Sequence, residues 1–399
     1  MISIAEALAI LRETLPGRTA ERLPLERAAG RCLAVPLSAV DPSPAFTNSA
    51  MDGFAVRWDD IAGATAEVPV RLTLAGESRA GHPFTRELRA GEAVRISTGG
   101  ALCAGADSVV PIEEVHEAGD RIDILAAKKR GQHVRMAGEE YGAGDPLLEA
   151  GTILAPPALA LLATHGYDPV PVFRAPRAVV LVTGSELVDH AAVPGPGQIR
   201  DSNGPMLRAA LEVSGAQVVM VERVGDDMDA TVAALAAACD GADLILCSGG
   251  VSVGPHDLVK AAAEACGFRT AFWRVRQKPG KPLFYARHGE TRLLGLPGNP
   301  VSAFMCYRYY GHPLVRYLLG HPFAHDTRPA VAGTAIRNDL PRAHLMRVRL
   351  VSGDGFPRAV PLERQGSHML TTVSGAEGFV VLGAGEIVPE GERVEVVGL

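Results

Sequence analysis

At 399 residues, with 47% hydrophobic and 21% charged side chains, the chain reads as globular, long enough for roughly two to four domains. A formal charge of −6 excludes a general attraction to nucleic acid, so any anion must be held by a local basic site. No apolar run approaches the roughly 18 residues of a membrane span. The six cysteines lie far apart with no Cys-x-x-Cys pair, which predicts free thiols in a reducing cytosol and argues against zinc.

The chain opens on MISIAEALAILRETLP, where Ile4, Leu8, Leu11 and Leu15 make one helical stripe. Glu6 and Glu13, with no basic leader, set it apart from a secretion signal. From 28 to 135, short alternating runs such as VRLTLAG, EAVRISTGG and DSVVPIEEV are cut by turns, and HEAGDRIDIL reads as a hairpin. This is a β-rich domain. GTILAPPALALLATHG then supplies a helix, and 1–27 with 136–175 is read as a helical domain built from two stretches of chain.

From 176 to 322 the pattern changes. AVVLVTGSE, VVMVERVGD, LILCSGGVSVG and LLGLPGNP are strands, separated by helical runs such as PMLRAALEVSGA and MDATVAALAAAC. Alternation of this kind implies a parallel, doubly wound α/β sheet whose ligands lie beyond the carboxyl ends of its strands. VSAFMCYRYYGHPLVRYLLG closes the domain as a helix, and 323–399 is strand-rich, consistent with a small C-terminal β-barrel.

The chemistry-bearing strings cluster at those strand ends. Glu186 in TGSEL suits a metal or a hydroxyl, or equally the start of a helix, where the macrodipole favours an acid. Asp201, Ser202 and Asn203 stand directly before a helix, so at least one should cap it. Asp226 and Asp227 are adjacent acids in VGDD, open to metal binding or to solvent in a turn. Gly249, Gly250 and Gly254 of SGGVSVGPHD could turn backbone N–H groups toward an anion, and Asp257 could bind metal or cap the next helix. In KPGKP, Lys278 and Lys281 sit in a stiff Pro-Gly frame, a setting for point charges that meet phosphate. Carboxylates beside phosphate suit a hard divalent cation between them, Mg²⁺ above all. The residues alone thus indicate a phosphorylated, nucleotide-like ligand with Mg²⁺. No P-loop, Gly-x-Ser-x-Gly or His-Glu-x-x-His string is present.

Read in order, these strings resemble the molybdopterin molybdenumtransferase family, which includes the E domain of gephyrin. AMDGFAVR carries Met51, Asp52 and Gly53, and STGGALCAGADSVVPIEEV places Thr98 and Glu113 at matching positions. RMAGEEYGAGD, TGSEL, DSN, SGGVSVG, KPGKP, GLPGNPVSA and QGSHML follow in the family's sequence. The resemblance implies a four-domain subunit, an elongated homodimer with a cleft shared between subunits, and a cytoplasmic enzyme of molybdenum cofactor biosynthesis. Its reaction would insert molybdenum from molybdate into adenylylated molybdopterin, with Mg²⁺-dependent release of AMP. Carried over position by position, it implies catalytic roles for Asp52, Glu186, Asp257, Lys278 and Lys281. Substrate contacts would come from Thr98, Asp201, Asn203, Gly249, Gly250, Ser252, Pro297, Gly298, Asn299 and Ser367. Glu186, Asp226, Asp227, Asp257 and Glu140 are the implied metal ligands. Two positions depart from the pattern. Glu140 replaces the usual aspartate, and Pro255 replaces an acid, removing a charge and stiffening that loop. A tungstate-handling paralogue and a non-enzymatic molybdopterin-binding scaffold are the alternatives.

Overall fold

Ser3 and Glu6 form a reciprocal cap, Ser3 N–H to the Glu6 carboxylate at 2.7 Å and Glu6 N–H to Ser3 Oγ at 3.2 Å, which starts helix α1, Ile4–Glu13. Its Ala7 and Leu11 are fully buried, with Ile4, Leu8 and Leu15 packed beside them, so the stripe is the helix's core-facing side. The computed structural model describes residues 1–251, 258–353 and 355–399; Ser252, Gly254, Pro255, His256 and Asp257 lie outside the described residues. It divides into two compact units, Val35–Asp168 and the remainder, Met1–Ala34 with Pro169–Leu399.

The Val35–Asp168 unit is built on a six-stranded sheet. Its strands are β1 (Gly53–Val56), β2 (Val70–Ser78), β3 (Glu92–Ile96), β4 (Ser108–Pro111), β5 (Val115–Ala118) and β6 (Arg121–Ile124), in the order β4-β1-β3-β2-β6-β5. The last two form the expected hairpin. Alternate residues of β1 enter opposite cores, Phe54 and Val56 on one face and Ala55 on the other. Helix α2, Pro156–Thr164, also belongs to this unit.

The larger unit holds the α/β sheet. In chain order its elements are β7 (Arg177–Thr183), α3 (Asn203–Val213), β8 (Gln217–Val224), α4 (Met228–Cys239), β9 (Leu244–Ser248), α5 (Val259–Ala265), β10 (Arg269–Trp273), β11 (Gln277–Lys278), β12 (Phe284–His288) and β13 (Thr291–Leu296). The sheet order is β8-β7-β9-β13-β12-β10. Helices cover both faces. Val180, Val182, Leu244 and Leu294 pack with Leu207 and Leu211 of α3, whereas Val179, Leu181, Ile245 and Leu293 pack with Leu235 of α4 and Ala262 of α5. The sheet is therefore doubly wound. It is parallel over four strands only: β12 turns back on β13 at Gly289, and β10 pairs antiparallel with β12. A two-residue turn can join only antiparallel strands, so the sheet departs here from the parallel arrangement expected from the alternation of strands and helices.

The closing helical stretch contains α6 (Pro300–Cys306) and α7 (His312–Leu318), joined by a π turn, Tyr307–Gly311. Beyond it, β14 (Thr327–Ala332), β15 (Ala343–Val351), β16 (Arg358–Pro361), β17 (Gly378–Leu382) and β18 (Arg393–Gly398) close on themselves in the order β15-β16-β14-β18-β17-β15. Met346, Val348, Val380 and Val396 fill this five-stranded barrel. Strand β11 extends this sheet by pairing in parallel with the start of β15, Lys278 opposite His344. Among the described residues no cysteine forms a disulfide, Cys239 and Cys266 being half-buried and the others buried, and no helix is long and apolar enough to cross a membrane.

Candidate active site at the glycine edge of the sheet

Strands β7, β9 and β13 lie side by side, with Val182 opposite Ser248 and Ser248 opposite Leu296. Their carboxyl ends therefore deliver TGSE, SGG and LPGN to one edge, where a cleft of about 530 Å³ opens. Thr183, Glu186, Asp201, Asn203, Ser248, Pro297, Gly298 and Asn299 line it. Gly249 and Gly250 are imposed by this crowding. They have φ of +92° and +63°, and a Cβ on Gly249 would stand 2.5 Å from the Thr183 carbonyl.

The acids divide by what they already hold. Asp201 Oδ1 accepts the Gly204 N–H in the first turn of α3 at 2.9 Å, although the N-cap position is Ser202, whose side chain makes no capping bond. Asp227 Oδ1 accepts the Ala230 N–H at 2.8 Å and is the N-cap of α4. Asp226 joins two strand ends, accepting the Ser185 N–H at 3.1 Å while its own N–H donates to Ser185 Oγ at 2.9 Å. Glu186 lines the cleft, and its carboxylate has no hydrogen-bond or ion-pair partner among the described residues. No group of three or more His, Cys, Asp or Glu side chains is placed to hold a metal among those residues.

Asn203 donates through Nδ2 to Ser248 Oγ at 2.8 Å and to the Gly298 carbonyl at 2.7 Å. A carbonyl can only accept, so the amide orientation is fixed and Oδ1 remains buried without a donor among the described residues. Thr183 Oγ1 is a second buried oxygen without a partner among those residues. Both residues line the cleft, and buried polar atoms are ordinarily satisfied. Asn299 Nδ2 donates to Ser367 Oγ at 3.2 Å, which ties the LPGN turn to the QGSHML turn after the barrel strand β16.

Lys278 and Lys281 have no carboxylate within ion-pair distance among the described residues. Two further basic side chains accompany them that sequence reasoning missed. Arg347 is 0% exposed, and among the described residues its Nη2 makes only long contacts to the Arg364 and Gly366 carbonyls (3.4 and 3.3 Å) and its Nε and Nη1 have no partner. Burial pulls its guanidinium below the usual range. His344 is buried with Nε2 unpartnered; burial first, then the charges of Lys278, Arg347 and Arg342, bring its pKa down to about 4, so it is neutral near pH 7.

The remaining predicted residues lie in the Val35–Asp168 unit. Asp52 Oδ1 accepts the Thr98 N–H at 2.6 Å, and that backbone bond holds the exposed carboxyl below the usual carboxylate range. Glu140 accepts the Ser43 hydroxyl at 2.7 Å. Ser252 and Asp257 are outside the described residues.

Three family models tile this architecture: the MoeA N-terminal region (domain I and II) over residues 2–166, a probable molybdopterin binding domain over 179–317, and the MoeA C-terminal region (domain IV) over 329–399. A molybdopterin molybdenumtransferase 2 from Mycobacterium tuberculosis is 34% identical over 385 residues, 95% of either chain. The chain belongs to the MoeA family of molybdopterin molybdenumtransferases. A second member, the molybdopterin molybdenumtransferase of Haemophilus influenzae, is 34% identical over 96% of this chain and 94% of its own. A solved MoeA protein of molybdopterin biosynthesis from Pyrococcus horikosii is 30% identical and superimposes with a TM-score of 0.88, covering 100% of this chain and 99% of that one. The segment matched by the probable molybdopterin binding domain, 179–317, is the one that carries the cleft.

Proposed function

We propose that the chain inserts molybdenum from molybdate into adenylylated molybdopterin and releases AMP, in the cytoplasm and as a homodimer. The cleft carries this reading. At the edge of a doubly wound sheet it sets one carboxylate and two buried oxygens that have no partner among the described residues, and the lysine frame has no acid partner among those residues. Asn203 Oδ1 and Thr183 Oγ1 suit N–H donors of a heterocyclic ring, and Gly249 and Gly250 let the backbone approach a phosphate. Lys278, Lys281, Pro297, Gly298, Asn299 and Ser367 would meet phosphate and molybdate oxygens, with Arg347 behind the Ser367 turn.

The acids present fit Mg²⁺ held jointly with substrate. This ion takes one or two carboxylates plus phosphate oxygens rather than an all-protein cage, and the described residues offer Glu186 and Asp226 without a third acid grouped with them. When bound, it would neutralise charge developing at the phosphoanhydride. Asp227, used as a cap, is the weakest member of the ligand set read from the sequence. Asp52, Thr98 and Glu140 belong to the other compact unit, and we assign them to the partner subunit's site across a two-fold axis. The four-domain division, 1–27 with 136–175, 28–135, 176–322 and 323–399, goes with this proposal.

The test supplies adenylylated molybdopterin, Mg²⁺ and either molybdate or tungstate, and measures AMP release. Release with molybdate is expected. Release with tungstate alone moves the assignment to a tungstate-handling paralogue, and release with neither refutes the enzyme reading.

A further inference from the structure

The lysine frame is held from beneath by a buried hydrogen-bond chain through Gln277. Gln277 is 0% exposed. Its Nε2 donates to the Gly280 carbonyl at 3.2 Å and reaches Cys306 Sγ at 3.5 Å, while its Oε1 accepts the hydroxyl of Tyr310. The Gly280 carbonyl can only accept, so the amide has one orientation and the chain of donation runs from Tyr310 through Gln277 to Gly280. Burial holds the Tyr310 phenol well above its ordinary range, so it stays a donor. Gly280 lies between the two lysines, has φ of +86°, and sits so close to Cys306 that a Cβ would stand 2.1 Å from the sulfur. Tyr310 itself belongs to the π turn, a local insertion that is often found at functional sites.

Two ammonium groups three residues apart, with no carboxylate partner, repel each other until an anion arrives. Convergence on an anion therefore has to be imposed by the backbone that carries them, and a loose frame would lower affinity through the cost of ordering it. We propose that Gln277 and Tyr310 are positioning residues, which fix the spacing of Lys278 and Lys281 for a tetrahedral oxyanion. The proposal rests on the reading of those lysines as oxyanion ligands, and the experiment separates the two.

Molybdate is titrated calorimetrically into the full chain well below its melting temperature, for the parent, Lys281→Ala, Tyr310→Phe, Gln277→Met and the double variant Tyr310→Phe/Lys281→Ala. Lys281→Ala should bind roughly ten- to a hundredfold more weakly, Tyr310→Phe roughly three- to tenfold, and Gln277→Met about tenfold or more. The double variant should lose clearly less than the two single losses combined, because with Lys281 gone there is no spacing of the pair left for the clamp to set, although Lys278 remains. A purely structural hydroxyl would lower the melting temperature and leave affinity alone. That result, or losses that add in full in the double variant, overturns the clamp. Unchanged binding by Lys281→Ala, or none by the parent, instead overturns the lysine reading and the clamp with it.

Discussion

Strands β7 and β8 lie side by side, and each runs into glycine followed by acid, TGSE after one and VGDD after the other. The acids meet different fates. Asp227 fills an orphan N–H of α4 and Asp226 accepts from Ser185, whereas Glu186 faces the cleft with no side-chain partner among the described residues. An acid spent on an N-cap, as Asp227 is, is accounted for by the fold, while Asp226 accepts through Oδ2 alone among the described residues. One left unpaired at a sheet edge is available to a ligand.

The largest expected effect follows from that contrast. Glu186→Gln keeps shape and volume but removes the charge that a hard cation requires. Loss of charge stabilisation at the phosphoanhydride should reduce AMP release by at least ~100-fold, since each ~1.4 kcal/mol is a tenfold change in rate. Substrate affinity should be retained, because like-charge repulsion with phosphate is relieved, and melting should be near normal. Normal turnover by Glu186→Gln would place this acid with Asp227 and break the comparison.

A second experiment asks whether the cleft is complete within one chain. On the proposed shared-site homodimer, mixing Asp52→Ala chains with Glu186→Gln chains should give heterodimers with one intact site. Random pairing makes about half the dimers heterodimers, so about a quarter of parent activity should return. If mixing restores nothing, Asp52 and Glu186 do not serve a site shared in this way.

The sequence made the glycine edge legible because parallel strands at helical spacing leave little choice of topology, and three glycine-rich strand ends had to meet. Arg347 was hidden for a different reason. In HLMRVRL the period of two sends Met346 and Val348 into the barrel and Arg347 and Arg349 outward. Arg349 is exposed, but Arg347 lies beneath the turn that includes Arg364 and Gly366. Alternation reports which face a residue is on, and says nothing about what a distant turn will cover. The Gln277 clamp escaped similarly. TAFWRVRQ reads as one extended run, yet the strand ends at Trp273 and Arg274 adopts φ of +69°, which turns the chain into the lysine frame.

An unpartnered base offers a third handle. His344 has a folded pKa of about 4 against an ordinary 6.5, with burial the main cause and Lys278, Arg347 and Arg342 adding to it. Between these values the unfolded chain binds a proton that the folded chain refuses, so stability rises with pH across the window and is lost as pH falls from about 6.5 toward 4. His312, also at about 4, acts in the same direction. Urea midpoints from pH 7 to 4.5 should therefore fall in the parent and fall less steeply in His344→Leu. Equal slopes would mean that His344 is not held neutral by its site.

The smallest effect sharpens the contrast from the structural side. If Asp227 is spent on capping, its removal should be felt in stability and hardly at all in chemistry. Asp227→Ala leaves the Ala230 N–H without its acceptor and should cost about 1 kcal/mol, read as a lower urea midpoint with an unchanged slope. Asp227→Asn keeps an acceptor oxygen at the same reach and gives up only the favourable charge at the N-terminus of α4, worth a few tenths of a kcal/mol at an exposed site. The order Ala below Asn, with Asn close to the parent, is the signature of a cap. A metal ligand would give another order, because neither alanine nor a neutral amide supplies the charge that a hard cation draws on. Both variants would then lose AMP release together, with Asn no better than Ala. Equal losses of activity in the two would move Asp227 from the fold into the site, and the line drawn here between it and Glu186 would have to be redrawn.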